Sequence, residues 1–268
     1  MSASIARACA GFFESGQVIA CIQALVHYHA AMSTTARAPR TNRRLVYQTL
    51  RRRILTLELP PGAGLSENDL AAALGVSRTP IRESLILLIE EGLVQVFPQV
   101  GTFVSRVDAT KVADAQFIRE SIELASLNDI PDEPDPDLVG TLKENIDRQH
   151  APDIPVEEFF ELDEQFHHGL LGLGGHPNVW STVVAAKGHL DRARRLGLQA
   201  NESTVRFADE HAAVLDAVLA GDRALARDRM RTHLRSVFGD IEKIRQRSPE
   251  LFAAPDSVPV RRSVAVWE

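Results

Sequence analysis

Two short helical segments joined by a glycine turn constrain the fold of this chain more than any other feature. Ser66 can cap a helix, and the acidic Asp69 stands three residues further on, as expected in a first helical turn. Leu70–Leu74 continues that helix, and Gly75 is typical of the residue that ends one. A second helix is expected directly afterwards. This order is that of a helix-turn-helix, whose second helix enters the major groove of DNA.

The second helix carries side chains suited to reading DNA. Val76 is expected to be buried in the turn, and Ser77 opens the helix, with Pro80 tolerated in its first turn. Arg78 and Arg82 lie four residues apart and therefore share one face of the helix. Because a guanidinium group can make two hydrogen bonds to guanine, these arginines are the first candidates for DNA contact.

The flanking segments extend this motif to a winged helix-turn-helix, which we predict over residues 35–107. A helix is expected at Leu45–Leu57, before the break at Pro60–Gly62. After the second helix of the motif, residues 93–97 and 102–104 have the composition of two strands joined by a turn. A two-stranded hairpin in this position is the wing of such a domain.

The charge is distributed unevenly between the N-terminal segment and the rest of the chain. The net charge is −6, yet residues 36–106 contain ten Arg, no Lys and six acidic residues, so that segment is +4 and the rest is −10. A basic module on an acidic body fits DNA binding at one end and another task at the other. No apolar run reaches membrane-spanning length, and we expect a cytoplasmic protein.

The first residues differ from the remainder of the chain. Both cysteines, Cys9 and Cys21, lie there, so the folded body has neither a disulfide framework nor a cysteine metal cluster. Residues 1–31 are rich in alanine, whereas Met32 begins a more usual polar N-terminus. We predict that residues 1–34 are a disordered extension or a mis-assigned start, and a signal peptide is the less favoured alternative.

Beyond residue 108 the chain is predicted to be entirely helical. Six helices with short connections predict an antiparallel bundle of six to seven helices over residues 108–247, followed by a flexible tail at 248–268. The expected helices lie near 110–127, 137–149, 155–173, 177–198, 203–219 and 222–246.

Four residues of this bundle form a candidate metal site. Asp163 and His167 are four residues apart, so they point the same way from one helix. His211 and His233 stand beside apolar residues on two later helices, which indicates that both face the interior of the bundle. One carboxylate and three imidazoles suit Zn²⁺, Ni²⁺ or another borderline divalent ion. The alternative is that these histidines are hydrogen-bonded core residues without a metal.

These segments together resemble a known family. The run Ser77–Glu83, followed by Leu88–Leu93 and Gly101–Val104, is similar to the GntR family of bacterial transcription regulators. The helical half resembles the FadR-type, or FCD-type, ligand-binding domain of that family. The matching pieces of that half are Arg119 with Glu123, Asp163–Leu170, Glu210–Ala217 and Met230–Leu234.

The resemblance implies a homodimeric, effector-responsive protein that binds double-stranded operator DNA. It implies that Asp163, His167, His211 and His233 hold a divalent metal ion, with zinc favoured and nickel as the alternative. It also implies a small carboxylate effector in the same cavity. Arg119 matches a position that faces this cavity, although an ion pair with Glu123 is an alternative for its side chain. Arg192 and Arg195 are weaker candidates for effector binding, with solvated positions on a helix surface as the alternative. His176 is a further candidate near the cavity, or else a helix cap.

The resemblance also assigns the DNA contacts, with two departures. Arg78, Thr79 and Arg82 match the main contacts of the family. The other candidates are Ser77, the wing glycine Gly101, and Arg43 and Arg44, which offer phosphate contacts. Asn68 stands where many members carry an arginine. The wing at Phe97–Val100 has no basic residue, so its contact with DNA is in question.

The sequence therefore predicts a transcriptional regulator, and we expect a repressor. A metal-dependent hydrolase with a DNA-binding head is one alternative, but no catalytic sequence motif is present, and the nearest carboxylate, Glu164, points to a different face from Asp163. A helical interaction module without a metal is the other alternative.

Overall fold

The structure, a computed structural model, describes residues 39–197 and 202–253. The predictions for residues 1–34 and for residues 254–268 lie outside this part of the chain. Within it, the protein is mainly helical, and a small antiparallel sheet follows the helix-turn-helix, as the sequence predicted. None of the described helices is long and apolar enough to span a membrane.

From residue 39 onwards, where the structure describes it, the N-terminal half consists of three helices and three short strands. The helices are α1 (Pro39–Leu55), α2 (Glu67–Leu74) and α3 (Arg78–Glu90), and the strands are β1 (Gly64–Leu65), β2 (Val94–Phe97) and β3 (Gly101–Val104). Helix α1 begins six residues earlier than predicted. Strand β1 was missed, because two residues show no periodicity. The sheet order is β1-β3-β2, with Gly64 opposite Phe103 and Val96 opposite Thr102.

Local interactions set the angle between α2 and α3. The Ser66 hydroxyl accepts a hydrogen bond from the Asp69 amide at 3.3 Å, which confirms the predicted cap. Gly75 ends α2 with φ +63°, a left-handed conformation that glycine adopts without strain. Val76 is only half-buried, so the prediction of a fully buried plug was wrong. The core beneath the motif is filled instead by larger side chains such as Leu50, Ile81 and Leu88.

The C-terminal half contains seven helices among the described residues. They are α4 (Ala109–Ser126), α5 (Pro136–Gln149), α6 (Val156–Leu173), α7 (Trp180–Ala186), α8 (Gly188–Gly197), α9 (Glu202–Leu219) and α10 (Arg223–Arg247). The single helix predicted at 177–198 is divided into a 3₁₀ turn, α7 and α8. Lys187 separates α7 from α8, and its ammonium group binds Asp191 at 2.7 Å and also Glu164.

The chain returns to the linker between the two halves after α10. Residues Pro249–Leu251 form a 3₁₀ turn, and Phe252 makes a parallel β-bridge with Val107. The amide of Ala253 donates to the Val107 carbonyl at 2.8 Å. The first residues of the predicted tail thus pack against the segment that leads into α4.

A close approach between α4 and the end of α6 is the first structural feature we propose to test. A Cβ atom at Gly174 would lie 2.6 Å from the Ser126 carbonyl oxygen and would also overlap the Ser126 hydroxyl. Gly174→Ala should therefore lower the free energy of unfolding by about 1–3 kcal/mol, because backbone has to move. Denaturant titration measures this change.

Gly172→Ala is the matched control, since a Cβ atom there meets nothing within 4 Å. This variant should be neutral or more stable by up to about 1 kcal/mol, because alanine favours the helix. Equal behaviour of the two variants would show that the approach at Gly174 is not close.

Candidate DNA interface and metal centre

Helix α3 presents the predicted DNA-reading residues to solvent. Its apolar face, which includes Ile81, Leu85 and Leu88, packs into the core of the motif. Arg78, Thr79 and Arg82 are exposed on the other side, and the two arginine side chains are 59% and 61% exposed. The helix is therefore held rigidly by one face while its basic residues remain accessible, as a major-groove contact requires.

A carboxylate on α2 holds both arginines. Glu67 Oε2 accepts from Arg78 Nη2 at 3.1 Å and from Arg82 Nη2 at 2.9 Å, and Glu67 Oε1 accepts from Arg82 Nε at 3.1 Å. The hydrogen bond from Arg82 lowers the pKa of Glu67 below its usual value. Sequence reasoning missed this residue, because its partners lie 11 and 15 positions away on another helix. The arrangement orients both guanidinium groups before any DNA is bound.

The remaining predicted DNA contacts are placed as follows. Ser77 is the exposed N-cap of α3, without a hydrogen bond from its side chain. Gly101 lies in the wing turn with φ +147°, a conformation that favours glycine. Arg43 and Arg44 are exposed on α1. Near the wing turn, Phe97 packs edge-to-face on Phe103, with ring centroids 5.9 Å apart.

In the helical half, the structure brings the four predicted metal ligands together. One donor atom from each of Asp163, His167, His211 and His233 lies within 4.8 Å of the others, and all four side chains are buried. His233 Nε2 is 3.2 Å from both His167 Nε2 and His211 Nε2. Asp163 Oδ1 is 3.8 Å from His167 Nε2 and 3.6 Å from His211 Nε2. Helices α6, α9 and α10 supply these residues.

Each imidazole is oriented through its other nitrogen. His167 Nδ1 faces Glu123 Oε2 at 2.6 Å, His211 Nδ1 faces Gln149 Oε1 at 2.7 Å, and His233 Nδ1 faces Glu210 Oε2 at 2.8 Å. Because each partner oxygen is an acceptor, the hydrogen of each neutral ring belongs on Nδ1. The Nε2 lone pairs then converge on one point, which is the arrangement of metal-binding histidines.

Burial keeps these rings neutral, and the charge of Arg194 keeps the carboxylate of Asp163 ionised. Burial lowers the pKa of each histidine, well below the usual value for His211 and His233. Burial alone would raise the pKa of Asp163, but the charge of Arg194 lowers it well below its usual range. Neutral imidazoles and an ionised carboxylate are the protonation states that bind a divalent cation, so the residues present fit such an ion.

Arg194 is the functional residue that sequence reasoning missed at this site. Its Nη1 donates to Asp163 Oδ2 at 2.9 Å and its Nη2 donates to Asp163 Oδ1 at 2.6 Å. The spacing in the sequence indicates the direction of Arg194. It follows Leu190 by four residues, and it therefore shares the inward face of that buried side chain. The neighbouring Arg195, which the sequence suggested, instead pairs with Glu157 at 3.1 Å and stacks on Phe160.

The other predicted effector residues differ in position. Arg119 is buried beside the cluster, where its Nε donates to Glu123 Oε1 at 2.7 Å and its Nη2 lies 4.0 Å from Asp163 Oδ2. The suggested ion pair with Glu123 is therefore present, and the far end of the guanidinium still faces Asp163. His176 does not join the cluster, because its Nε2 contacts Asp129 at 2.9 Å on the surface.

Helix α8 also contacts the DNA-binding half, through His189 and Arg192. His189 Nε2 donates to the Gly92 carbonyl at 3.0 Å, just after α3, and His189 Nδ1 accepts from the Asp108 amide at 3.1 Å. Arg192, suggested as a cavity residue, instead donates to the Ser105 carbonyl at 2.6 Å. A Cβ atom at Gly188 would lie 3.1 Å from Leu93, so α8 also packs closely on this half.

The two halves match described families. Residues 42–104 match the family described as "Bacterial regulatory proteins, gntR family", and residues 114–236 match the FCD domain. A protein of Streptomyces ambofaciens, described as an uncharacterized HTH-type transcriptional regulator in an unstable DNA locus, is 64% identical over 230 residues, covering 85% of this chain and 98% of that protein.

Two further matches are also described as transcriptional regulators. The HTH-type transcriptional repressor RspR of Escherichia coli K12 is 29% identical over 210 residues, which cover 78% of this chain and 92% of that protein. A crystal structure described as a transcriptional regulator GntR from Rhodococcus sp. RHA1 has a TM-score of 0.62 at 26% identity and covers 76% of this chain and 98% of that chain.

The buried contact of α8 leads to a prediction about pH. Burial, with the nearby charge of Arg192, lowers the pKa of His189 to about 3. In the unfolded chain its pKa is about 6.5, so only the unfolded state binds a proton as the pH falls from 7 to 5. His189 should therefore account for a loss of up to about 2 kcal/mol in the free energy of unfolding over this interval.

Denaturant titrations at pH 7 and pH 5 test this, because His189→Gln should show a smaller loss between the two values than the unaltered protein. His150→Gln, which removes a histidine outside this contact, is the matched control. A His189→Gln protein with the full pH dependence would contradict the burial of a neutral ring at this position.

Proposed function

Because the chain belongs to the GntR family of bacterial regulatory proteins and carries an FCD domain, it is a DNA-binding transcriptional regulator and not an enzyme, and we propose that a small carboxylate controls its affinity for operator DNA. The carboxylate binds in the helical half, at a divalent metal ion. The convergence of three Nε2 atoms and one carboxylate oxygen in a buried cluster carries this proposal.

The proposed metal ligands are Asp163, His167, His211 and His233. Three neutral imidazoles whose lone pairs face one another at 3.2 Å lack a hydrogen atom between them, and a cation removes this conflict. The mixed nitrogen and oxygen donor set favours zinc, with nickel as the alternative. Such an ion would supply a positive charge that attracts an anionic effector.

Arg119 is the proposed partner of the effector carboxylate. Its Nε is held by Glu123, which fixes the plane of the guanidinium group. Among the described residues its terminal nitrogens make no hydrogen bond, although Nη2 lies 4.0 Å from Asp163. A buried guanidinium with donors to spare, next to a cluster that fits a dication, suits a carboxylate.

Helix α8 is the proposed connection between effector and DNA. One residue of this helix, Arg194, binds Asp163 in the cluster, and two others, His189 and Arg192, bind the backbone of the DNA-binding half. A ligand that changes the pairing of Asp163 with Arg194 therefore acts on the helix that holds the end of α3. The coupling needed for regulation is about 1–3 kcal/mol.

We further propose a homodimer that represses transcription. The resemblance to the GntR family implies the dimer, and Phe117 on α4, which is 73% exposed, is the proposed contact for the second copy. A dimer would place two recognition helices about one turn of DNA apart, on a pseudo-palindromic operator. The repressing sense is supported by the relative RspR, which is named a repressor.

Metal analysis of protein purified without chelator tests the metal centre. We expect about one divalent ion per chain in the unaltered protein and none in His167→Ala, because the cluster loses a ligand. His168→Ala is the control, since this neighbouring ring is exposed and its partners among the described residues are the Pro177 carbonyl at 3.1 Å and the Trp180 ring.

Chelator should lower the melting temperature of the unaltered protein and of His168→Ala, because a bound ion stabilises the folded state. The melting temperature of His167→Ala should not respond to chelator. Metal-free unaltered protein, or equal metal content in both variants, would refute the proposed centre.

Titration of a duplex that the protein selects from a random pool tests the DNA interface. Arg78→Ala should weaken binding by about 1–3 kcal/mol at fixed salt and relax the preference at the contacted base pair. Arg148→Ala removes the same charge from the helical half, where its partner is Glu158, and should leave binding nearly unchanged. Equal affinities of the two variants would rule out α3 as the reading helix.

A further inference from the structure

Arg192 on α8 is a fully buried guanidinium group without a counter-ion. Its exposed fraction is 0%, and it donates to two neutral groups, the Ser105 carbonyl at 2.6 Å and His189 Nδ1 at 3.0 Å. In the part of the chain that the structure describes, its Nε makes no hydrogen bond and no carboxylate lies within ion-pair distance. Burial lowers the pKa of Arg192 to about 10. A buried charge without an opposite charge destabilises the folded state.

Two other described arginines are buried, and both have a carboxylate partner. Arg119 pairs with Glu123 at 2.7 Å, and Arg194 pairs with Asp163 at 2.6 Å. The charges of these two groups are therefore balanced within the protein, whereas the charge of Arg192 is not. An unbalanced buried group in a folded protein calls for an explanation, and one explanation is an ion that the chain itself does not supply.

An open cleft of about 400 Å³ adjoins this guanidinium group. We call it the linker cleft, because it lies between residues 89–96, at the end of α3 and in β2, and residues 105–111, in the linker and α4. Ser105 and His189, to which Arg192 donates, both line it. Its volume falls within the range of about 300–1,000 Å³ that is usual for small-molecule sites.

Two further cations line the linker cleft. Lys111 Nζ lies so close to Gly92 that a Cβ atom there would overlap it, and it has no carboxylate partner among the described residues. Arg106 Nε donates to the Glu250 carbonyl at 2.8 Å, which is a neutral partner. The lining carboxylate is Asp108, whose oxygen accepts backbone hydrogen bonds as the cap of α4. The cleft thus carries an excess of positive charge, which attracts anions.

The wall formed by α3 and β2 is apolar. Ile89 and Val96 line the cleft and are 39% and 54% exposed, and the buried Val94 lies beside them. Apolar surface in contact with water is unfavourable, and covering it stabilises a complex. The linker cleft therefore presents unpaired cations on one side and uncovered apolar side chains on the other.

We propose that the linker cleft binds an organic anion with an apolar body. The charged group lies at Lys111 and Arg106, in front of the buried charge of Arg192, and the apolar body covers Ile89 and Val96. The site shares no residue with the proposed metal centre. Because the ligand contacts β2 on one wall and α4 on the other, it stabilises the packing of the DNA-binding half on the helical half.

Simpler ligands match only part of this chemistry. Inorganic phosphate balances the positive charges but leaves Ile89 and Val96 in contact with water. A neutral apolar molecule covers these side chains but leaves the cations without a partner. Charge-assisted hydrogen bonds from lysine and arginine are among the stronger polar contacts in proteins, so the anionic group is expected to contribute substantially to the affinity.

Calorimetric titration of the full chain with matched probes tests the proposal. Benzoate and hexanoate are the anions, benzyl alcohol and hexanol are their neutral counterparts, and inorganic phosphate is an anion without an apolar body. At least one of the two organic anions should bind about tenfold or more tightly than its neutral counterpart and than phosphate.

Two substitutions at exposed positions locate the bound anion. Lys111→Gln removes the ammonium group and should weaken the binding of that anion by about tenfold or more. Val96→Asp should weaken it similarly, because it places a negative charge on the apolar wall. Lys143→Gln is the matched control, since it removes the same charge from an exposed position on α5 and should leave the binding unchanged.

The outcomes that overturn the proposal are distinct. Equal binding of the anion by Lys111→Gln and Lys143→Gln would place the anion elsewhere in the molecule, including the proposed effector site of the helical half. Equal affinity for the anion and its neutral counterpart would exclude recognition of the charge, and equal affinity for phosphate would exclude a role of the apolar wall. A full chain that binds none of the probes would also refute the site.

Discussion

The buried meeting of three imidazole rings and one carboxylate is the constraint on which the helical half depends. His167, His211 and His233 bring their Nε2 atoms to within hydrogen-bond distance, yet each Nδ1 is already engaged by an acceptor. Helices α4, α5, α6, α9 and α10 must therefore hold a common register, since they supply either a ring or its orienting partner. A cluster of this kind is stable only when its charges and hydrogen bonds are matched throughout.

One short helix, α8, joins the cluster to the DNA-binding half. The short helix α8 carries Arg194, which pairs with Asp163, and two residues further back Arg192, which binds the Ser105 carbonyl. Because the helix is only ten residues long, a movement of the helix at one of these contacts also displaces the other contact. At the opposite end of α3, Glu67 orients the arginines that the family resemblance assigns to DNA. The contact with α8 and the proposed DNA contacts thus lie at opposite ends of α3.

Much of this architecture could be predicted from local pattern. The Ser66 cap, the Gly75 stop and the helix start at Ser77 predicted the helix-turn-helix, and the four-residue spacing of Asp163 and His167 predicted that both lie on one face. The division of the helix predicted at 177–198 could not be read in this way. The break between α7 and α8 falls at Lys187, next to Gly188, which packs closely on Leu93 from 95 positions earlier in the chain.

The family, most of the helices and the four side chains of the buried Asp–His cluster could be predicted from the sequence alone, because they follow from residues a few positions apart or from matching motifs. Which charged groups pair with one another became visible in the folded chain. There, Arg194 rather than Arg195 pairs with Asp163, and Glu67 joins both arginines of α3. Ion pairs and buried hydrogen bonds depend on the distance between helices, whereas the periodicity of a sequence indicates only on which face of a single helix a residue lies.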